Sequence, residues 1–154
     1  MNTAQIEQYW QRYLKTLQSK IETQSAYLVD QFGDSPELAN ELGQLVIDGV
    51  KTATCSALWE WEASGSTPPF VGVKTIFLDG KANPICIVET REVVICPFGE
   101  VDAQFAYDEG EGDRTLESWR REHWNYFWRT LPKIGFQPTS EMLLVCERFR
   151  VVYR

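Results

Sequence analysis

Three stretches of this 154-residue sequence hold residues chosen for more than packing. They are Gly49-Val50-Lys51-Thr52-Ala53-Thr54, the acidic run Asp108-Glu109-Gly110-Glu111-Gly112-Asp113, and Trp119-Arg120-Arg121-Glu122-His123-Trp124. Between them lie an amine, two hydroxyls, several carboxylates and the single imidazole of the chain, the groups used by nucleophilic and acid–base chemistry. Each also has a plainer reading. Lys51, after a helix-ending Gly49, suits a solvated cation at the negative end of a helix. Thr54 suits a strand, Glu109 a wet loop, and His123 a hydrogen-bonded, half-buried place beside an aromatic stripe. The acidic run is no phosphate cradle, since its carboxylates repel phosphate. It matches neither the dinucleotide fingerprint nor the P-loop, and it lacks the spacing of an EF-hand.

The elements that must position these residues follow from periodicity. Ile6, Tyr9, Trp10, Tyr13, Leu14 and Leu17 fall on one helical stripe and predict an amphipathic helix over 3–19. Asp34-Ser35-Pro36-Glu37 reads as a capped helix start, Leu38, Leu42, Leu45 and Val46 continue a stripe, and Gly49 ends it. Residues 51–55 predict an extended or turning segment leading into Ala57-Leu58-Trp59-Glu60-Trp61. Residues 73–78 and 84–95 predict a hairpin around Asp79-Gly80-Lys81-Ala82-Asn83. A short helix is expected over 101–107, broken by the acidic glycine run. A longer one, carrying Leu116, Trp119, His123, Trp124 and Phe127, stops before Pro132, and 142–153 closes the chain as a strand. Strands and helices do not alternate regularly, so a doubly wound parallel sheet is excluded in favour of a mostly antiparallel α+β barrel.

Composition narrows the function. A net charge of −7 argues against tight, sequence-blind binding to duplex DNA. The charge is uneven: residues 114–154 hold eight Lys and Arg against four Asp and Glu, whereas 1–113 hold seven against eighteen. An anionic partner therefore has a landing side. The cysteines Cys55, Cys86, Cys96 and Cys146 form no C-x-x-C pair and read as reduced thiols of a cytoplasmic protein, Cys86 and Cys146 as small hydrophobes in strands. No signal peptide or membrane span is expected.

Taken together, the three stretches resemble the ASCH family of PUA-like domains. The resemblance runs from about Phe32 to Tyr153 and rests on Phe32-Gly33-Asp34-Ser35-Pro36, residues 49–54, Val101-Asp102-Ala103 with Phe105-Ala106, the run 109–116, and Trp119 with His123-Trp124. It implies an α+β fold, a PUA-like and mostly antiparallel β-barrel surrounded by α-helices. One domain over 1–154 is expected, with 1–30 as a helical extension. It also implies roles around RNA: binding, cleavage, or deacylation of an N4-acylated cytidine. In small amidohydrolases of the family, Lys-Thr-x-Thr supplies a lysine and a threonine, here Lys51 and Thr54, and a later glutamate falls on Glu109. These three are the expected catalytic residues.

The chemistry implied is a lysine, its charged form disfavoured by burial, that takes the hydroxyl proton of Thr54 for attack on an amide carbonyl, with Glu109 orienting the lysine or serving the leaving amine. In a regular strand Lys51 and Thr54 would face opposite ways, so a turn or bulge must separate them. Replacing either should abolish hydrolysis and barely change thermal stability. Two departures stand out: Ser56 occupies a place where many members carry arginine, and Gly72-Val73 replaces the usual Gly-Asp. Ser56, Trp59, Arg114, Arg120, Arg121 and His123 are the expected ligand-binding residues, serving RNA or a nucleoside by stacking and phosphate contact. No cofactor, metal or membrane is expected, although Glu109, Glu111 and Asp113 leave a hard-oxygen divalent site open. Two alternatives to the hydrolase remain: an RNA-binding module without chemistry, and an interaction domain whose aromatic helices face a partner chain.

Overall fold

The computed structural model describes residues 2–17 and 26–154. Five strands, β1 (Tyr27–Gln31), β2 (Ala53–Ala57), β3 (Lys74–Leu78), β4 (Pro84–Pro97) and β5 (Leu143–Tyr153), form one mixed sheet in the order β1-β3-β4-β5-β2. Only β1 and β3 pair in parallel; the other pairs are antiparallel, and the sheet curls into a half-barrel. Among the described residues five α-helices flank it: α1 (Thr3–Thr16), α2 (Pro36–Ile47), α3 (Leu58–Ser64), α4 (Ala103–Glu109) and α5 (Leu116–Thr130).

Four of these five helices start where a side chain caps them, α3 following Ala57 being the exception. Asn2, Ser35, Asp102 and Thr115 each accept from a backbone N–H three residues on, and Pro36 stands at the first helical position of α2. Each long helix buries its stripe against the sheet. Ile6, Trp10, Tyr13 and Leu14 of α1 pack on Ile76, Leu78 and Ile87. Leu42 and Val46 of α2 pack with Phe77, Val88 and Phe149. Trp119 and Phe127 of α5 join Phe105, Leu144 and Met142. Cys86 and Cys146 are buried among these apolar side chains, and all four cysteines are free. Among the described residues no helix is long and apolar enough to cross a membrane.

Several expectations are corrected. Residues 18 and 19 of the expected first helix lie outside the described residues, and α1 ends at Thr16. β1 is a strand the periodicity did not announce. The α4 helix covers 103–109 rather than 101–107, because Asp102 caps it and Gly110, in the left-handed region at φ 73°, ends it. Glu109 therefore closes a helix instead of opening a loop.

Candidate active site

Lys51 is placed by the end of α2. Gly49 turns the chain at φ 74°, and the N–H groups of Val50 and Lys51 both donate to the Leu45 carbonyl, at 2.9 and 3.0 Å. The backbone of Lys51 thus belongs to a helix-ending turn, and β2 begins two residues later. Thr52 is pinned on both sides: its N–H donates to Asp108 O at 2.8 Å and its carbonyl accepts from the Phe149 N–H at 3.0 Å. This break before the strand lets Lys51 and Thr54 border the same cavity, which strand alternation alone would forbid.

The Lys51 side chain is only 1% exposed. Its Nζ donates to Ala53 O at 2.9 Å, Glu109 O at 3.4 Å and Glu111 Oε2 at 3.0 Å, and it lies 5.5 Å from the centre of the Phe32 ring. Burial disfavours the ammonium, but the carboxylates of Glu109 and Glu111 outweigh it and hold the Lys51 pKa above its ordinary value. The resting lysine is therefore a cation. Burial disfavours the charged form as expected from the sequence, and the two neighbouring carboxylates more than offset it.

Glu109, though fully buried, gives its carboxylate to α5. Its Oε2 accepts from Trp119 Nε1 and lies 2.8 Å from His123 Nε2. Trp119 and His123 stand four apart on α5, so they share one face, and their rings stack at 4.3 Å. Burial opposes charge on both Glu109 and His123. Their mutual attraction, helped on the glutamate by Lys51, nevertheless lowers the pKa of Glu109 and raises that of His123. What reaches Lys51 from Glu109 is a backbone carbonyl, and the carboxylate that meets its ammonium belongs to Glu111.

The cavity over this cluster measures about 490 Å³. Lys51, Thr54, Cys55, Glu111, Trp119 and His123 line it, with Phe32 and Tyr126 as further aromatic walls. Phe32, Thr54, Cys55 and Tyr126 also border a second cavity of about 690 Å³, where the acids Asp30, Glu60 and Glu147 gather. Burial raises the pKa of all three, that of Glu147 to about 7.

The expected ligand residues divide. His123 and Arg121 border the first cavity. Ser56 borders the second, its hydroxyl accepting from Trp61 Nε1 at 2.8 Å. Trp59 is stacked on Phe136 with centroids 4.4 Å apart and borders neither cavity. Arg114 covers the Tyr107 ring at 3.6 Å and donates to the Tyr107 and Val50 carbonyls, and Arg120 donates to Gly99 O; neither lines a cavity. The three acids of the open hard-oxygen site turn to different partners: Glu109 to His123 and Trp119, Glu111 to Lys51, and Asp113 to Thr115. Sequence reasoning missed Glu111 as the partner of Lys51, and Cys55, Phe32 and Tyr126 as cavity walls.

The sequence matches the ASCH domain description over residues 28–153. A solved ASCH domain from Lactobacillus crispatus JV V101 is 32% identical and superposes with a TM-score of 0.91, covering 98% of this chain and 96% of that one. A solved protein from Enterococcus faecalis V583, classed in family DUF984, is 38% identical with a TM-score of 0.88, covering 97% of this chain and 89% of that one. No curated protein matches the sequence.

Proposed function

Since this chain belongs to the ASCH domain family, we propose that it acts on RNA or a modified nucleoside, as a hydrolase working in the cavity over Lys51. One observation carries the reading: a buried ammonium and the Thr54 hydroxyl border one aromatic-walled cavity of about 490 Å³, a size that suits a single nucleoside. Thr54 Oγ1 attacks the carbonyl carbon of an N4-acyl group, and its proton passes to Glu111. Lys51, charged at rest, stabilises the developing oxyanion and donates a proton to the departing amine. Water then hydrolyses the threonyl ester. Glu109 is a positioning residue, which fixes His123 by its side chain and Lys51 by its carbonyl.

The test is release of acetate and cytidine from N4-acetylcytidine, followed by chromatography beside a gel assay of single-stranded RNA cleavage. Thr54→Ala should lower turnover at least about 100-fold, as loss of a nucleophile does, and Thr54→Ser should retain much of it. Full activity in Thr54→Ala, or no activity of the wild type on either substrate, removes the hydrolase.

RNA binding without chemistry is the second reading. Arg121, 58% exposed at the cavity rim, favours it by offering a cation to a phosphate, whereas Arg129 on the same cavity is held by Asp34 at 2.8 Å.

A further inference from the structure

The Cys55 thiol, the Glu109 carboxylate and the His123 imidazole meet at the inner wall of the first cavity, one donor atom of each lying within 4.8 Å of the others. Two details separate this group from ordinary packing. His123 Nδ1 lies 2.9 Å from Trp119 O, which can only accept, so Nδ1 carries a hydrogen and Nε2 is left facing Glu109 Oε2 at 2.8 Å. In the resting chain a proton on Nε2 joins the two, and a metal ion can take its place, since both facing atoms are then lone-pair donors. The other detail is Glu109 Oε1, which is buried and has no hydrogen-bond partner among the described residues, an arrangement that costs free energy unless something binds there.

We propose that Cys55, Glu109 and His123 form a binding site for one divalent transition metal of the zinc class, with its fourth position open to the cavity. Thiolate, imidazole and carboxylate make a borderline-soft donor set that suits zinc and disfavours magnesium or calcium. Trp119 O is the outer acceptor that orients a metal-binding histidine. Cys55 and His123 line the cavity while Glu109 stands behind them, so the open position faces the space bordered by Lys51 and Thr54.

Without metal, Glu111 meets the Lys51 ammonium at 3.0 Å and Glu109 meets His123 Nε2 at 2.8 Å. A dication bound by a thiolate, a neutral imidazole and a carboxylate displaces the protons those groups carry. A buried cluster that exchanges protons for a dication avoids most of the cost of burying unpaired charge. Glu109 Oε2 and His123 Nε2, 2.8 Å apart, stand closer than the roughly 3.3 Å edge of a tetrahedron with zinc bond lengths, so loading parts this pair.

The test uses the full chain, free of any tag, stripped by a chelator and titrated with Co²⁺ and then Zn²⁺. One Co²⁺ per chain should bind, with a near-ultraviolet thiolate-to-cobalt charge-transfer band and the strong visible bands of tetrahedral cobalt, both erased by Zn²⁺. Cys55→Ser should lose the charge-transfer band, and Cys55→Ser and His123→Gln should each weaken zinc at least about 100-fold. Cys146→Ser, whose thiol lies across the strand pair from Cys55, should keep the band. Absence of the band in the wild type, or its survival in Cys55→Ser, overturns the site. If Cys55→Ser does not fold, an unweakened zinc affinity in His123→Gln overturns it equally. None of these readouts uses hydrolysis, so failure of the hydrolase would leave them standing.

Discussion

Gly110 and Lys51 touch backbone to backbone: a β-carbon built on Gly110 would lie 2.9 Å from Lys51 Cα and 2.5 Å from the Val50 carbonyl oxygen. This glycine is also left-handed, at φ 73°, so two separate constraints exclude a side chain from the place where α4 meets the lysine turn. Gly110→Ala should destabilise the chain by about 2–4 kcal/mol, from left-handed strain plus overpacking, as read by urea unfolding. It should also separate Lys51 from Glu111. A stability loss below about 1 kcal/mol, the ordinary scale of a glycine change, would show that the contact yields.

Lys51→Met keeps the length of the side chain and removes its charge. Because the lysine is buried and answers two carboxylates, the change should cost about 3 kcal/mol or more in urea unfolding. Glu111→Gln should cost less, since Glu111 is partly exposed at 27%. This reverses the expectation from sequence that replacing Lys51 leaves stability nearly unchanged. An unaltered unfolding midpoint in Lys51→Met would restore it.

Glu147 gives a pH signature. Burial raises its pKa to about 7 from a usual 4.5, although the Thr90 hydroxyl donates to its Oε2 at 2.9 Å. The folded state thus holds a proton that the unfolded chain releases above about pH 4.5. That contribution is fully present below pH 4.5 and is lost as pH rises through 7. Glu147→Gln, permanently neutral, should be more stable than the wild type at pH 8 by about 3 kcal/mol and close to it at pH 4.5. Equal differences at both pH values would contradict the assignment.

RNA binding should distinguish two neighbouring arginines. Arg121 borders the cavity while Arg120 reaches away to Gly99 O. In fluorescence anisotropy with a short single-stranded RNA, Arg121→Glu should weaken binding and reduce the salt slope by about 0.7 or more, the value of one phosphate contact. Arg120→Glu should leave both nearly unchanged. Equal effects of the two changes would mean that the bound strand runs over the outside of α5.

The long helices were legible because caps and apolar spacing agree: Asp34-Ser35-Pro36 before Leu38 and Leu42, and Thr115 before Trp119 and Phe127. β1 was not. Tyr27-Leu28-Val29-Asp30-Gln31 lacks alternation, and its parallel partner β3 lies more than forty residues on, so nothing local announces the pairing. The stretches that hold Lys51, Thr54 and Glu109 were legible as a group through motif order. The partnership of Lys51 with Glu111 was not, because it depends on how Gly110 folds the chain back over residues 50 and 51. Burial of Glu109 ran against the usual exposure of carboxylates. Its signal was Trp119 and His123 on one helical face, two ring nitrogens that need an acceptor once buried.

The two edge strands of the half-barrel, β1 and β2, are neighbours in sequence, and the chain between them includes α2. A helix of twelve residues is a rod about 18 Å long. Its Leu42 and Val46 are fixed in the core against Phe77, Val88 and Phe149, while Leu38, Glu41 and Leu42 form one wall of the first cavity. A wall that is also a core face cannot shift without unpacking that core. Selection among ligands then falls to the short glycine-bearing segment after α4, whose Glu111, Gly112 and Asp113 line the opposite side of the same cavity without belonging to the sheet.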